Sequence, residues 1–294
     1  MSGRMSQFNN PKRDAVKHLI ACTALLAALL IASCNPPAEK ASLAEIFAQG
    51  RWIDLTYAFS EETLYWPNNP TGFELETHYE GPTEGGYYYA SYAFCAPEHG
   101  GTHLDAPLHF AEGKWSADQI PLERLIGPAV VVDVSAKARD DADYQIAVED
   151  IAAWEERHGA IPAGAILLLR TGWGAYYPDA AQYLGTAEKG EAAVAELHFP
   201  GIHPELADWL VQNRDLKAVG LDVASIDYGQ SRDFRSHQIL YAANIPGFEN
   251  LANLDALPPT GAFVVALPMK IKGGSGGPLR IVAWVGVGAV DAGR

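Results

Sequence analysis

Residues 99–109 read His-Gly-Gly-Thr-His-Leu-Asp-Ala-Pro-Leu-His and concentrate metal-binding side chains in one short stretch. Three of the nine histidines of the 294-residue chain fall here, together with one carboxylate. Imidazole nitrogen and carboxylate oxygen are the ligands that a cation such as zinc binds at about 2.0–2.2 Å. The segment therefore predicts a metal site. The alternative is that these side chains only hydrogen-bond within a turn.

The glycines of this stretch decide its local geometry. A helix would place His99 and His103 on one face, but Gly100 and Gly101 between them disfavour a stable helix. In an extended chain His99, His103 and Asp105 share a face, because even steps separate them. Four extended residues span roughly 13 Å, and the two glycines allow the bend that brings His99 back. We therefore expect a kinked strand and loop that carry the ligands.

The rest of the chain reads as a mixture of strands and helices. Apolar, β-branched runs predict strands at 129–134, 166–169, 218–223, 262–267 and 280–287, and a Tyr- and Phe-rich stretch predicts a β region at 87–94. Helices are expected at 148–158, where Gly159 stops the helix, at 204–214 and around 235–243. Residues 273–277 read Gly-Gly-Ser-Gly-Gly and predict a flexible hairpin turn. The fold class is α/β, with a mixed sheet.

Residues 99–109 resemble the signature of the cyclase family, His-x-Gly-Thr-His-x-Asp-x-Pro-x-His, and match it at every fixed position. Further blocks similar to the family follow in the expected order at 169–173, 199–201, 220–227 and 249–251, so that the resemblance covers about residues 51–288. The family includes kynurenine formamidases, isatin hydrolases and related amide, lactam or lactone hydrolases. The resemblance implies a single domain whose mixed sheet forms a small β-barrel-like core with flanking helices.

The resemblance also assigns roles to the signature residues. It implies that His99, His103 and Asp105 bind metal and that His109 transfers protons. A cation held there would activate water for attack on a substrate carbonyl, and His109 would pass a proton to the leaving nitrogen.

A second metal site is implied by two residues farther along the chain. In formamidase-type members a histidine and a glutamate twelve positions apart complete that site, and His237 and Glu249 have this separation. Asp105 and Glu249 can each bridge two cations, because a carboxylate has two oxygens. Glutamate at position 249 favours two zinc ions, whereas the isatin hydrolases of the family carry glutamine there and hold one manganese. Zinc is therefore expected, with manganese as the alternative.

Two residues are candidates for substrate binding. The resemblance places an aromatic residue on a loop over the site, which maps to Trp66, with ordinary packing as the alternative. Ser225 and the nearby Asp227 are candidates to orient the substrate or a ligand histidine, and a role in a turn is the alternative.

The function implied by the resemblance is hydrolysis of the C–N bond of an aryl formamide such as N-formylkynurenine, a reaction of tryptophan breakdown. Ring opening of an isatin-like lactam or a lactone is the alternative reaction. A hypothesis of another class is a non-catalytic lipoprotein that binds metal or a small solute. The resemblance further implies a homodimer or a larger assembly.

Charge and cysteine content limit the possible partners. The formal net charge of −15 disfavours nucleic acid, whose phosphates the surface would repel. Of the three cysteines, only Cys95 lies beyond the N-terminal leader, so the folded domain can form no internal disulfide. We expect Cys95 to be a small buried side chain.

The N-terminus resembles a lipoprotein export signal. Basic residues precede an apolar run of 13 residues at 19–31, and small residues then lead to Cys34. Residues 1–34 are therefore expected to be a signal peptide, and the exported protein to be lipid-anchored at Cys34 on the periplasmic or cell-surface side. An ordinary secretory signal cut nearby is the alternative. Membrane association is expected only through the anchor.

Two segments follow the signal. Residues 35–50 are expected to form a tether and a short helix, with a capping box made by Ser42 and Glu45. Residues 51–294 are expected to form the hydrolase domain, because no second linker or repeat follows.

Overall fold

The computed structural model describes residues 41–286. The predicted signal peptide 1–34, the anchor at Cys34 and the first part of the tether lie outside these residues. The short helix is present as α1 (Leu43–Ala48). Its capping box is confirmed, because the Ser42 amide donates to Glu45 Oε2 at 2.7 Å and the Glu45 amide donates to Ser42 Oγ at 3.2 Å. None of the helices within residues 41–286 has the length and hydrophobicity needed to span a bilayer.

From Phe47 onward the described residues form one compact unit of strands and helices. The strands are β1 (Gly50–Asp54), β2 (Glu74–Pro82), β3 (Tyr88–Cys95), β4 (His103–Asp105), β5 (Ile126–Asp133), β6 (Gln145–Ile146), β7 (Ala165–Arg170), β8 (Gly201–Ile202), β9 (Leu216–Leu221), β10 (Gly247–Glu249), β11 (Ala262–Pro268) and β12 (Gly276–Gly286). The helices are α2 (Leu122–Leu125), α3 (Ser135–Asp140), α4 (Val148–His158), α5 (Ala180–Tyr183), α6 (Pro204–Asn213) and α7 (Arg235–Ala242). Four 3-10 turns lie at Pro107–His109, Trp173–Tyr176, Glu191–Glu196 and Leu254–Ala256.

The main sheet closes on itself. Its strand order is β1-β12-β11-β5-β7-β9-β10-β4, and β4 also pairs with β12, so that seven strands form a ring and β1 adds to its outside. The neighbours β5, β7, β9 and β10 run parallel to one another, whereas the pairs made by β4, β11 and β12 are antiparallel. The predicted α/β class with a mixed, barrel-like sheet is confirmed.

Two hydrophobic clusters lie on the two sides of this sheet. One draws side chains from all seven strands of the ring and therefore fills its inside, and Leu104, Ile166 and Phe248 belong to it. The other lies between the sheet and the helices, and Leu167 and Leu210 belong to it. Alternate residues of β7 enter the two clusters, which explains why residues 165–169 are a continuous apolar run.

Most element predictions are confirmed. The helix predicted at 148–158 is α4 with the same bounds, and the helices expected at 204–214 and near 235–243 are α6 and α7. The predicted strands are β5, β7, β9, β11 and β12, within a few residues. The hairpin turn predicted at 273–277 is shorter, because Gly276 and Gly277 already pair with β4.

The strands β2 and β3 form a separate two-stranded ribbon. Leu75 pairs with Phe94 and Thr77 with Tyr92, so these side chains share one face, and Leu75 and Phe94 are 59% and 52% exposed. The expectation of a buried Cys95 is wrong, because this thiol lies at the exposed end of β3. Within residues 41–286 no other strand pairs with this ribbon, and few of its side chains are buried.

Candidate metal centre

The segment with three histidines bends at its two glycines, as predicted. Gly100 and Gly101 have φ angles of +153° and +55°, and a Cβ on Gly100 would lie 2.1 Å from the Tyr65 ring. Beyond the bend, His103 and Asp105 project from the same side of β4, while Leu104 points into the ring. The ligand candidates therefore lie on the outer side of the barrel wall.

The neighbouring strand and a helix supply the other two candidates. Glu249 ends β10 directly opposite His103 in the antiparallel pair, so the two side chains share a face. His237 lies in α7, whose first turn is capped by Asp227. The two Asp227 oxygens accept the backbone N–H groups of Ser236 at 3.0 Å and of His237 at 3.1 Å.

The other four candidate ligands converge on the Asp105 carboxylate. Asp105 Oδ1 lies 2.7 Å from His99 Nδ1 and 3.1 Å from His103 Nε2, while Oδ2 lies 3.4 Å from His237 Nε2. Glu249 approaches the same rings, with Oε2 3.4 Å from His103 Nε2 and Oε1 3.1 Å from His237 Nε2. Two groups of three potential ligands therefore share Asp105, and in each the ligand atoms lie within 4.8 Å of one another.

Hydrogen bonds behind two of the rings fix which nitrogen carries the proton. His103 Nδ1 lies 3.0 Å from the Gly101 carbonyl oxygen, and His237 Nδ1 lies 2.5 Å from Asp227 Oδ2. A carbonyl or carboxylate oxygen only accepts, so each Nδ1 must donate. In the neutral rings Nε2 then presents a lone pair to the carboxylates, and His103 Nε2 is buried with no hydrogen-bond partner. Lone pairs that face anionic oxygens fit a cation placed between them.

The protonation of these rings without a cation agrees with this fit. Burial alone would lower the pKa of His103, but the nearby Asp105 carboxylate, 3.1 Å from Nε2, and then the charge of Glu249 raise it to about 9. Burial also tends to lower the pKa of His237. Hydrogen bonds to Asp105, Asp227 and Glu249 have the larger effect and raise this pKa well above its usual value. The carboxylates thus demand positive charge, which a metal ion would supply in place of the protons.

His109 lies beside this cluster but does not belong to either group of potential ligands. It ends the 3-10 turn that follows β4, and its ring stacks on His99 with centroids 3.8 Å apart. Burial, together with the neighbouring histidines, lowers the pKa of His109 to about 4, although the charge of Asp105 opposes the shift. His109 is therefore neutral at pH 7 and able to accept a proton.

A cavity of about 270 Å³ opens over the cluster. Its wall includes Trp66, Phe110 and Phe234, whose rings lie close together, with centroids of 5.4 Å for Phe110–Phe234 and 6.2 Å for Trp66–Phe234. Ser225 also lines the cavity, so both predicted substrate-binding residues lie at the site. Within residues 41–286, no Lys or Arg lines this cavity.

Several residues of the site escaped the sequence analysis. Tyr241 donates to Asp105 Oδ2 at 2.8 Å, and it lies one helical turn after His237, which is a spacing that sequence reasoning could have used. Asn250 donates from Nδ2 to the Gly101 carbonyl at 2.7 Å and receives the Tyr183 hydroxyl at 2.9 Å. Asn250 has a φ of +55°, and the sequence around it contains no pattern that predicts this conformation.

Comparisons with known proteins show what this chain resembles. The Cyclase family model, described as "Putative cyclase", matches residues 53–228. Isatin hydrolase of Roseibium aggregatum is 36% identical over 196 residues, which cover 64% of this chain and 72% of the relative. Kynurenine formamidase of Salinibacter ruber is 31% identical over 230 residues, which cover 78% of this chain and 95% of the relative. The solved structure of isatin hydrolase A from Labrenzia aggregata, bound to benzyl benzoate, matches with a TM-score of 0.74 and 35% identity, covering 83% of this chain and 96% of that one.

Proposed function

This chain belongs to the cyclase family, and from that membership we propose that it is a metal-dependent hydrolase that cleaves the C–N bond of an aromatic amide. The observation that carries the proposal is the buried, unpartnered Nε2 of His103, which faces the Asp105 and Glu249 carboxylates. Similarity to isatin hydrolase and to kynurenine formamidase supports the same reaction class.

The proposed ligands are His99, His103, Asp105, His237 and Glu249. We favour two zinc ions, because each carboxylate presents its two oxygens to different histidines, and we keep manganese as the alternative. A bound divalent cation supplies Lewis-acid polarisation of the substrate carbonyl and lowers the pKa of water. Elemental analysis of the purified protein would identify the metal and its stoichiometry.

His109 provides the proton transfer in this proposal. Because it is neutral at pH 7, its ring has a lone pair that can take the proton released as water adds to the carbonyl carbon, and its pKa of about 4 makes that proton easy to pass on. The same ring returns that proton to the nitrogen as the C–N bond breaks. Its stacking on His99 keeps it beside the ligands without a metal-binding role.

The cavity supports an uncharged aromatic substrate. N-formylkynurenine carries a carboxylate and an ammonium group, whereas isatin is a neutral, flat lactam. The proposed metal ions would be engaged by the substrate carbonyl, and no Lys or Arg of the described residues lines the cavity to pair with a buried substrate carboxylate. The rings of Trp66, Phe110 and Phe234 suit a flat apolar ligand. We therefore propose a lactam as the preferred substrate, which was the alternative reaction of the sequence analysis.

The aryl formamide stays the second candidate, because Glu249 occupies the position at which the resemblance associates glutamate with formamidases. Hydrolysis of isatin and of N-formylkynurenine, measured side by side with zinc and with manganese, separates the two. The His109→Ala variant should lose turnover, whereas His198→Ala, which changes a surface histidine paired with Asp143, should retain it.

The outcomes of this experiment are distinct. Faster turnover of isatin supports the lactam, and faster turnover of N-formylkynurenine supports the formamide. Binding of stoichiometric metal without cleavage of either substrate would favour the third hypothesis, a non-catalytic binding lipoprotein.

We also retain the prediction of a homodimer or a larger assembly, which the ribbon supports. Tyr88, Tyr92 and Phe94 are large, exposed and on one face of it, and such patches mark interaction sites. Their replacement by serine should lower the mass measured by light scattering, whereas serine at Tyr79 and Tyr89 on the opposite face should not.

Export and lipid anchoring at Cys34 stay predictions, because residues 1–34 lie outside the described part of the chain. Radiolabelled palmitate should enter the wild-type protein in a bacterial host, and Cys34→Ala should abolish the labelling. Secretion without labelling of the wild type would favour an ordinary signal peptide.

A further inference from the structure

The glycine-rich segment 273–277 approaches the metal centre more closely than a hairpin turn requires. A Cβ on Gly276 would lie 2.6 Å from His99 Cε1, and a Cβ on Gly274 would lie 2.6 Å from Glu98 Oε1. Glycine at these two positions therefore allows the segment to lie directly against His99 and the residue before it.

Ser275, between these glycines, links Glu98 to His99. Its hydroxyl oxygen lies 2.6 Å from Glu98 Oε2 and 2.9 Å from His99 Nε2. The same Glu98 oxygen accepts the Ser275 amide at 2.9 Å, and the Ser275 carbonyl accepts the Ala106 amide at 2.8 Å. Hydrogen bonds thus hold both the backbone and the side chain of Ser275, and one of them comes from Ala106, the residue after Asp105.

The direction of these hydrogen bonds determines the tautomer of His99. A carboxylate only accepts, so the Ser275 hydroxyl proton points to Glu98. The hydroxyl oxygen must then accept from His99, which requires a proton on Nε2. The neutral ring is left with its lone pair on Nδ1, the nitrogen that lies 2.7 Å from Asp105 Oδ1.

We propose that Ser275 and Glu98 are positioning residues that select the Nε2–H tautomer of His99 and so turn Nδ1 towards the metal. The proposal rests on His99 as a ligand, which is part of the proposed function. Loss of a partner behind a ligating histidine typically lowers metal affinity by about 10–100-fold. In His103 and His237 the opposite nitrogen, Nδ1, carries the proton, because it donates to Gly101 and to Asp227 respectively.

Two variants test the direction of the hydrogen bonds. Ser275→Ala removes the acceptor for His99 and should weaken zinc binding about 10–100-fold. Glu98→Gln keeps a polar partner but can donate to Ser275, which would free the hydroxyl proton to point at His99 and favour the wrong tautomer. It should therefore also weaken binding. Ser275→Thr retains the hydroxyl and should restore affinity.

A matched control removes a comparable hydroxyl elsewhere. Thr186 Oγ1 donates to Glu196 Oε2 at 2.8 Å, outside the ligand cluster, and Thr186→Val should leave zinc affinity unchanged. Affinity is measured by competition with a chromogenic chelator. The His99 tautomer is read directly from ¹⁵N chemical shifts of the imidazole nitrogens in the zinc-loaded protein, with His99→Gln used to assign the signals.

We expect a protonated Nε2 and a metal-bound Nδ1 in the wild type, and weaker binding in Ser275→Ala and Glu98→Gln only. A protonated Nδ1 on His99, or zinc affinity of Ser275→Ala equal to that of Thr186→Val, would overturn the proposal while leaving the hydrolase function intact. A wild-type protein that binds no divalent metal would overturn both.

Discussion

Asp227 offers a sharp test of the metal centre, because it acts on a proposed ligand through hydrogen bonds. It is 2% exposed, and its Oδ2 accepts both Nδ1–H and the backbone N–H of His237 while Oδ1 accepts the Ser236 amide. In Asp227→Asn one of these oxygens becomes an NH₂ group. The amide should keep its oxygen towards His237, where two donors meet, and leave the Ser236 amide unpaired.

Two magnitudes follow from this change. An unsatisfied buried donor costs about 1–3 kcal/mol of folding free energy, so the metal-free variant should be less stable by that amount. A neutral partner behind His237 makes Nε2 a weaker donor to metal, and zinc affinity should fall about 10–100-fold, or roughly 1.4–2.8 kcal/mol. Both losses arise from one side chain but are measured separately.

The assays are urea unfolding of the metal-free protein and zinc competition with a chelator. Asp143→Asn is the matched control, because Asp143 pairs with His198 Nδ1 at 2.8 Å on the surface. We expect this exposed pair to contribute at most about 1 kcal/mol and its loss to leave zinc affinity unchanged. Unaltered zinc affinity in a folded Asp227→Asn variant would refute the assignment of His237 as a ligand held by Asp227.

Three further predictions address the ions and the barrel. Glu249→Gln should lower the metal content, measured by elemental analysis, from about two ions per chain to about one. The glutamine carbonyl can still accept the Ile226 amide, and its NH₂ group then donates to the lone pair of His103 in place of the metal. An unchanged metal content would contradict the bridging role of Glu249. Leu104→Ala should cost about 2–5 kcal/mol in urea unfolding, since Leu104 is fully buried inside the ring; a cost below 1 kcal/mol would mean that the ring is not packed there. Removal of the metal by a chelator should lower the free energy of unfolding. The loss should be about 2.7 kcal/mol relative to protein with free metal at one hundred times the Kd. A thermal midpoint that does not change would contradict a metal site in the native state.

The local features of this fold were predictable from the sequence because short-range chemistry decides them. The helix α4 begins and ends as expected, since its amphipathic pattern stops at Gly159. The bend at Gly100 and Gly101 and the common face of His103 and Asp105 likewise follow from glycine and from strand alternation.

The features that the sequence did not announce depend on contacts between distant segments. Ser275 reaches His99 across 176 residues, and only the pairing of β12 with β4 brings them together. The exposure of Cys95 depends on whether another element covers β3, and an alternating strand pattern does not contain that information. Phe234 reaches the cavity wall with a φ of +51°, a conformation that is rare for a bulky residue and has no sequence signal.

The cluster around Asp105 also has a consequence for the unfolded chain. It joins β4 to α7 across a long loop, since Tyr241 and Asp105 are 136 residues apart and touch through one hydrogen bond. A cation bound by Asp105, His237 and Glu249 would act as a reversible crosslink that restricts this loop, and the entropy it removes grows with the logarithm of loop length. Because β4 is only three residues long and carries Asp105, hydrogen exchange at β4 should become faster when the crosslink is absent.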